Sequence, residues 1–194
     1  MERIINIILG VWLNAPIKNN VSLKQVLKNG KNIISRKRKN KMERITKDEY
    51  YLKIAKAVSS RSTCLKRQYG CVIVNHDEII ATGYNGSPRG ERNCCDIGFC
   101  KRMNEPNNSG KYDECHSVHA EQNALISAAR KDMIGATIYL YGQEYVKEDI
   151  TASSGYRTFQ FLEIEANPCP ICERMIQNAG IKKIINREGE HVFY

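Results

Sequence analysis

Two short segments hold the residues with the clearest chemistry. His119-Ala120-Glu121 and Pro168-Cys169-Pro170-Ile171-Cys172 together offer one imidazole, two thiols and one carboxyl group. One His and two Cys fill three positions of a tetrahedral zinc and leave the fourth for water, which is the composition of a catalytic rather than a closed structural site. Cys169 and Cys172 are three residues apart, so both sulfurs fall on one side of the first turn of a helix, where the partial positive charge of the helix end favours thiolate. Glu121, two residues beyond His119, can reach a metal-activated water without ligating the metal, as a proton shuttle must. Zinc lowers the pKa of its water toward about 7. The set suits hydrolytic removal of an amino group from a pyrimidine ring: hydroxide attacks C4, and the carboxyl moves protons to the ring nitrogen and the departing ammonia.

These residues need elements to position them. Thr46-Lys47-Asp48-Glu49 has the Thr-x-x-Glu form of a capping box, and Tyr50, Tyr51, Ile54, Ala57 and Val58 follow at helical spacing. Cys71 to Asn75 and Ile79 to Tyr84 read as a β-hairpin closed by the polar His76-Asp77-Glu78 turn. Residues 85 to 115 form a long Gly-, Asn-, Pro- and Cys-rich loop that requires a staple or a function. A helix is expected from His119 to Lys131, a strand from Ala136 to Tyr141, a helix from Pro170 to Ala179 capped by Gly180, and a strand from Ile181 to Asn186. A last strand is expected at His191 to Tyr194. Strands alternating with helices imply an α/β fold, a central sheet covered by helices on its faces.

The chain has 194 residues and a formal net charge of +9. The excess is local: residues 1 to 49 hold 12 basic and 4 acidic side chains, whereas residues 50 to 194 hold 18 and 17. The body therefore offers little field for a polyanion, which argues against a nucleic-acid partner. Residues 1–45 read as a basic leader or linker and 46–194 as the catalytic domain, with Met42 as an alternative start. No apolar run approaches the roughly 20 residues needed to span a bilayer. Ile4 to Leu13 makes a poor signal segment because Glu2 offsets Arg3 and no small-residue cleavage site follows. A cytoplasmic location is expected, where the eight cysteines serve as thiols or metal ligands rather than as a disulfide framework.

On the His-x-Glu and Pro-Cys-x-x-Cys segments, the chain resembles the zinc-dependent cytidine and deoxycytidylate deaminase superfamily. Arg61 to Cys64 (RSTC), Thr82 to Gly90 (TGYNGSPRG), Val118 to Ala124 (VHAEQNA) and Asn178 to Lys182 (NAGIK) bring it nearest to the deoxycytidylate branch. The resemblance implies a three-layer α/β/α fold with a mixed sheet of about five strands. It also implies His119, Cys169 and Cys172 as zinc ligands, Glu121 as general acid/base, and Asn85 as a hydrogen-bonding partner of the substrate sugar. Asn85-Gly86 is equally an ordinary turn pair. Some family members carry a second, structural zinc, for which Cys64, Cys94, Cys100 and Cys115 would supply four thiolates; unliganded, partly buried thiols are the alternative. The expected activity is hydrolysis of dCMP to dUMP and ammonia, in a homo-oligomer, a hexamer by resemblance, with dCTP and dTTP as effectors. A nucleoside cytidine deaminase and an editing deaminase of tRNA or single-stranded DNA are the rivals.

One stretch departs from the family pattern. Fifty positions separate His119 from Cys169, and the surplus falls near residues 143–166, where Glu144 to Glu165 holds Tyr145, Tyr156, Phe159, Phe161 and five acidic residues. An elaborated loop or added hairpin at the pocket rim is expected there. Cys71, inside an apolar strand, reads as a small core residue.

Overall fold

A computed structural model of the chain describes residues 44–106, 112–146 and 160–193. The basic leader up to residue 43 lies outside the described residues. Helix α1 (Lys47–Ser59) begins on the expected capping box: the Glu49 amide donates to Thr46 Oγ1 at 3.1 Å, and the Thr46 amide donates to Glu49 Oε2 at 2.9 Å. Strands β1 (Arg67–Asn75) and β2 (Glu78–Tyr84) form an antiparallel hairpin. His76 and Asp77, at φ 48° and 68°, both adopt the left-handed conformation of the two-residue turn that matches strand twist.

The long loop contains a one-turn helix α2 (Cys94–Ile97) and a 3-10 turn at Tyr112–Glu114, and it is tied back by an antiparallel bridge between Gly86 and Val118. Where one helix from His119 to Lys131 was expected, the chain makes two, α3 (Ala120–Ile126) and α4 (Arg130–Met133). The Ser127 hydroxyl donates to the Asn123 carbonyl at 2.8 Å and helps close α3 early. Strand β3 (Thr137–Val146) follows, then β4 (Gln160–Ile164), α5 (Pro170–Ala179), β5 (Lys183–Asn186) and β6 (Gly189–Val192). Gly180, at φ 85°, ends α5 in the left-handed conformation, as its place after the last apolar residue suggested.

The sheet order is β2-β1-β3-β5-β6, with β4 paired to β3. Pairing is antiparallel except between β3 and β5, so the sheet is mixed, and it has six strands rather than about five. The sixth is β4, which comes from the surplus segment. Strand β3 runs five residues past the expected end, and its far half pairs with β4 while its near half pairs with β5. The added segment thus supplies a strand that returns the chain to Pro168-Cys169. Glu163 fastens this strand: it pairs with Lys56 of α1, lies 3.6 Å from Arg187, and accepts from the Tyr141 hydroxyl at 3.0 Å.

Alternation along the strands builds two cores. Cys71 and Ile73 of β1 with Ile138 and Leu140 of β3 pack against Ala120, Ala124, Cys172 and Ile176 of α3 and α5. Val72, Val74, Tyr139 and Tyr141 face the other way, onto Tyr51 and Ala55 of α1. Helices therefore cover both faces, which is why β1 reads as an unbroken apolar run. The three-layer α/β/α arrangement agrees with expectation. Cys71 is fully buried in the core, as its surroundings in the sequence implied. No described helix is long and apolar enough to cross a membrane.

Candidate active site

The site forms where two helices begin. His119 is the N-cap of α3 and Cys169 the N-cap of α5, both with extended backbone (ψ 156° and 161°). The sequence dictates these caps locally. Gln122 accepts from the His119 amide at 2.9 Å, and Pro170 occupies the first helical turn of α5, where its missing N–H costs nothing. Close helix–sheet approach sets the depth: a Cβ on Gly83 of β2 would lie 2.2 Å from the Ala120 carbonyl oxygen and 2.4 Å from the Ala124 nitrogen. Only glycine lets α3 sit there, and with it His119 and Glu121.

His119, Cys169 and Cys172 present one donor atom each, all within 4.8 Å of one another. Zn–S bonds of about 2.3 Å and Zn–N bonds of about 2.0–2.1 Å at a tetrahedral angle put sulfur and nitrogen roughly 3.6 Å apart. His119 Nδ1 lies 3.6 Å from Cys169 Sγ and 3.4 Å from Cys172 Sγ, so the donor set fits a zinc ion in both type and spacing. Two helix N-termini at one spot also favour the thiolate forms that such a site needs.

Glu121, in the first turn of α3, is 5% exposed. Burial raises its pKa, opposed by a backbone hydrogen bond, by the nearby His119 charge and by the Cys172 thiol. These neighbours, His119 and Cys172, place its carboxyl group beside the donor cluster. Burial also pushes the Cys172 thiol up, as does the neighbouring Glu121 charge.

A cavity of about 320 Å³ opens from this cluster. Asn85 lines it, but its side chain is already engaged: Oδ1 accepts from the Tyr69 amide at 2.7 Å and from the Ser62 hydroxyl at 2.8 Å, and Nδ2 donates to the Arg67 carbonyl at 2.9 Å. One Nδ2 hydrogen is left for a ligand. Cys64, Cys100 and Cys115 line the same cavity. With Cys94 they are electrostatic neighbours, and burial raises the Cys64 and Cys94 thiols. Among the described residues, though, only the His119 cluster brings three donor atoms within 4.8 Å. His116 is exposed and stands outside that cluster.

The cavity has lining residues that the motifs did not reveal. Arg67, Tyr69, Glu165 and Asn167 belong to it, together with Lys66 and Arg102. Arg67 and Tyr69 precede Cys71 at the two-residue period of one strand face, a signal available once β1 is extended backward to residue 67. Glu165 and Asn167 lie just after β4, where the departure from the family pattern hid them.

Similar proteins bear on the reading. The family described as "Cytidine and deoxycytidylate deaminase zinc-binding region" matches residues 45–187. The chain is 36% identical over 139 residues to deoxycytidylate deaminase of Schizosaccharomyces pombe, covering 71% of this chain and 36% of that protein. It is 32% identical over 150 residues to deoxycytidylate deaminase of Mycobacterium phage D29, covering 74% of this chain and 96% of that protein. The chain spans about a third of the length of its yeast relatives and nearly all of the phage one. The crystal structure of dCMP deaminase from cyanophage S-TIM5 with dCMP and dUMP superposes with a TM-score of 0.47 at 27% identity, over 74% of this chain and 83% of that one. A family match over residues 45–187 takes in both the metal-ligand cluster and Glu121, and on it the chain belongs to the cytidine and deoxycytidylate deaminase family.

Proposed function

We propose that the chain hydrolyses dCMP to dUMP and ammonia, in the supply of dTTP precursors. The observation that carries this reading is a His–Cys–Cys donor cluster at tetrahedral zinc spacing beside a buried carboxyl group, in a chain whose relatives are named deoxycytidylate deaminases. His119, Cys169 and Cys172 would hold the metal. A zinc ion held there would supply Lewis-acid activation of water. Glu121 would take one proton from the water as its oxygen adds to C4 of the ring, deliver it to N3, and then carry the proton of the new C4 hydroxyl to the 4-amino group, so that ammonia leaves as the C4–N bond breaks and the C4 carbonyl forms. Burial of Glu121 suits it to both halves of that cycle, because a raised pKa brings its protonated and ionised forms closer in energy near neutral pH.

Residues 46–194 constitute the catalytic unit in this reading, and the basic leader takes no part in the chemistry. Asn85 acts first as a clamp on residues 67–69 and offers its remaining amide hydrogen to the sugar. A second, structural zinc on Cys64, Cys94, Cys100 and Cys115 belongs to the same proposal; the thiols influence one another electrostatically, although no three of their sulfurs lie within 4.8 Å of one another, so binding the ion would draw them together. Metal analysis of the purified chain decides it: two zinc per chain sustains the second site and one removes it. Homo-oligomer formation, hexameric by family resemblance, and control by dCTP and dTTP belong to the same proposal, as does a cytoplasmic location. Sedimentation of the chain with and without either triphosphate tests assembly and effector binding together. The near-neutral body continues to favour a mononucleotide over a polynucleotide.

A further inference from the structure

His119 apart, Tyr69 is the one aromatic side chain among the described residues that line the cavity, and it stands between Arg67 and Cys71 on strand β1. On the site-facing side of β1, residues alternate outward as Cys71, Tyr69 and Arg67, about 7 Å per step of two. Cys71 is buried in one core cluster with Ala120 and Cys172, the neighbours of Glu121 and of the metal-ligand set, so this end of the strand lies beneath the catalytic end of the cavity. Arg67 marks the other end, where the cavity also meets Lys66 and Arg102. A nucleotide with its ring at Glu121 and its phosphate toward the cations must lay its sugar over Tyr69.

Tyr69 is held from three directions. Its amide donates to Asn85 Oδ1 at 2.7 Å. Its hydroxyl accepts from Arg67 Nη1 at 3.1 Å, and Arg67 Nη2 in turn donates to Glu144 Oε2 at 2.8 Å across the β1–β3 pair. Its ring rests on Gly142, where a Cβ would lie 2.7 Å from Tyr69 Cε1 and 2.9 Å from Cδ1. The hydroxyl is thereby held at Arg67, which leaves the ring carbons as Tyr69's contribution to the cavity lining. A surface of ring carbons gives a sugar hydroxyl no partner.

We propose that Tyr69 is a specificity-determining residue: its ring forms the wall against C2′ of the sugar, so the site prefers a deoxyribonucleotide to the corresponding ribonucleotide. This rests on the deaminase reading above. An apolar wall rejects an added hydroxyl by about 10²-fold at most, which sets the expected kcat/KM ratio of dCMP over CMP at about 10 to 10². The test is that ratio in the full zinc-loaded chain and three variants. Tyr69→Phe keeps the wall and should keep the ratio, whereas Tyr69→Ala opens it and should lower the ratio at least about tenfold. Gly142→Ala, outside the cavity lining, pushes the ring toward the sugar and should raise KM for dCMP several-fold with kcat changed less than about twofold. An unchanged ratio in Tyr69→Ala, or an equal loss for both nucleotides, overturns the proposal. So does a Tyr69→Phe ratio that collapses as far as that of Tyr69→Ala. If Tyr69→Ala does not fold, an unchanged dCMP KM in Gly142→Ala overturns it. Wild-type protein that deaminates neither nucleotide overturns the functional reading and this proposal together. Wild-type activity with any of the contrary variant results overturns this proposal alone.

Discussion

Replacing Asn85 by alanine separates the two roles this residue can play. Its side chain is buried (6% exposed) and makes three hydrogen bonds, to the Tyr69 amide, the Ser62 hydroxyl and the Arg67 carbonyl, at 2.7 to 2.9 Å. Each such bond contributes about 0.5–1.5 kcal/mol net, and a buried amide left without its acceptor costs about 1–3 kcal/mol. Water entering the vacated space offsets part of that cost, so the expected loss is about 2–4 kcal/mol. For a domain of roughly 150 residues this corresponds to a fall in Tm on the order of 10 °C. Thermal unfolding and urea titration of the zinc-loaded chain measure it, alongside KM for dCMP. Because the lost bonds anchor the strand segment that carries Arg67 and Tyr69, stability should fall and KM should rise together. A raised KM with stability within about 0.5 kcal/mol of wild type would mean that Asn85 serves the ligand alone, and the clamp argument fails.

Three further outcomes follow from the geometry. Cys169→Ser and Cys172→Ser should each lose the catalytic zinc, since a hydroxyl stays protonated near neutral pH and ligates poorly; full retention of that zinc in both would mean the ligands are misassigned. Gly83→Ala drives a methyl group into the backbone of α3, which cannot yield as a side chain can, so a loss of about 1–3 kcal/mol or more with a drop in zinc affinity is expected; unchanged denaturation and zinc binding would show that the helix is free to shift. A chain beginning at Met42 should fold and turn over dCMP with similar kinetics, and loss of turnover in a folded truncated chain would bring residues 1–41 into the active assembly.

Much of this site was legible in the sequence because its parts are local. A His, a Glu two residues on, and two Cys three apart at helix starts report their own geometry, and the capping box at Thr46 and the cap at Gly180 formed as their spacing required. The strands came out short in the reading because a sequence alone does not say where an edge finds a partner. Strand β3 extends to Val146 only because β1 flanks one edge and β4 the other, and β4 lies in a segment with no family pattern to guide it. The early end of α3 depended on a serine hydroxyl turning back onto its own helix. Tyr69 escaped notice for a related reason: its function as a wall depends on Gly142, 73 residues away, leaving room for the ring.

Glu121 as proton shuttle and a deoxycytidine monophosphate as substrate are tested together by measuring ammonia release from cytidine, dCMP, dCTP and a single-stranded oligonucleotide, using zinc-loaded full chain and its Glu121→Gln variant. Turnover with dCMP as the best substrate is expected, one dUMP formed per ammonia. A loss of roughly 10² or more is expected in Glu121→Gln with the His119 zinc still bound, the scale of a general acid/base contribution. Zinc-loaded protein that leaves dCMP untouched, that acts on the oligonucleotide instead, or that keeps near-normal turnover without the Glu121 carboxyl would contradict these assignments.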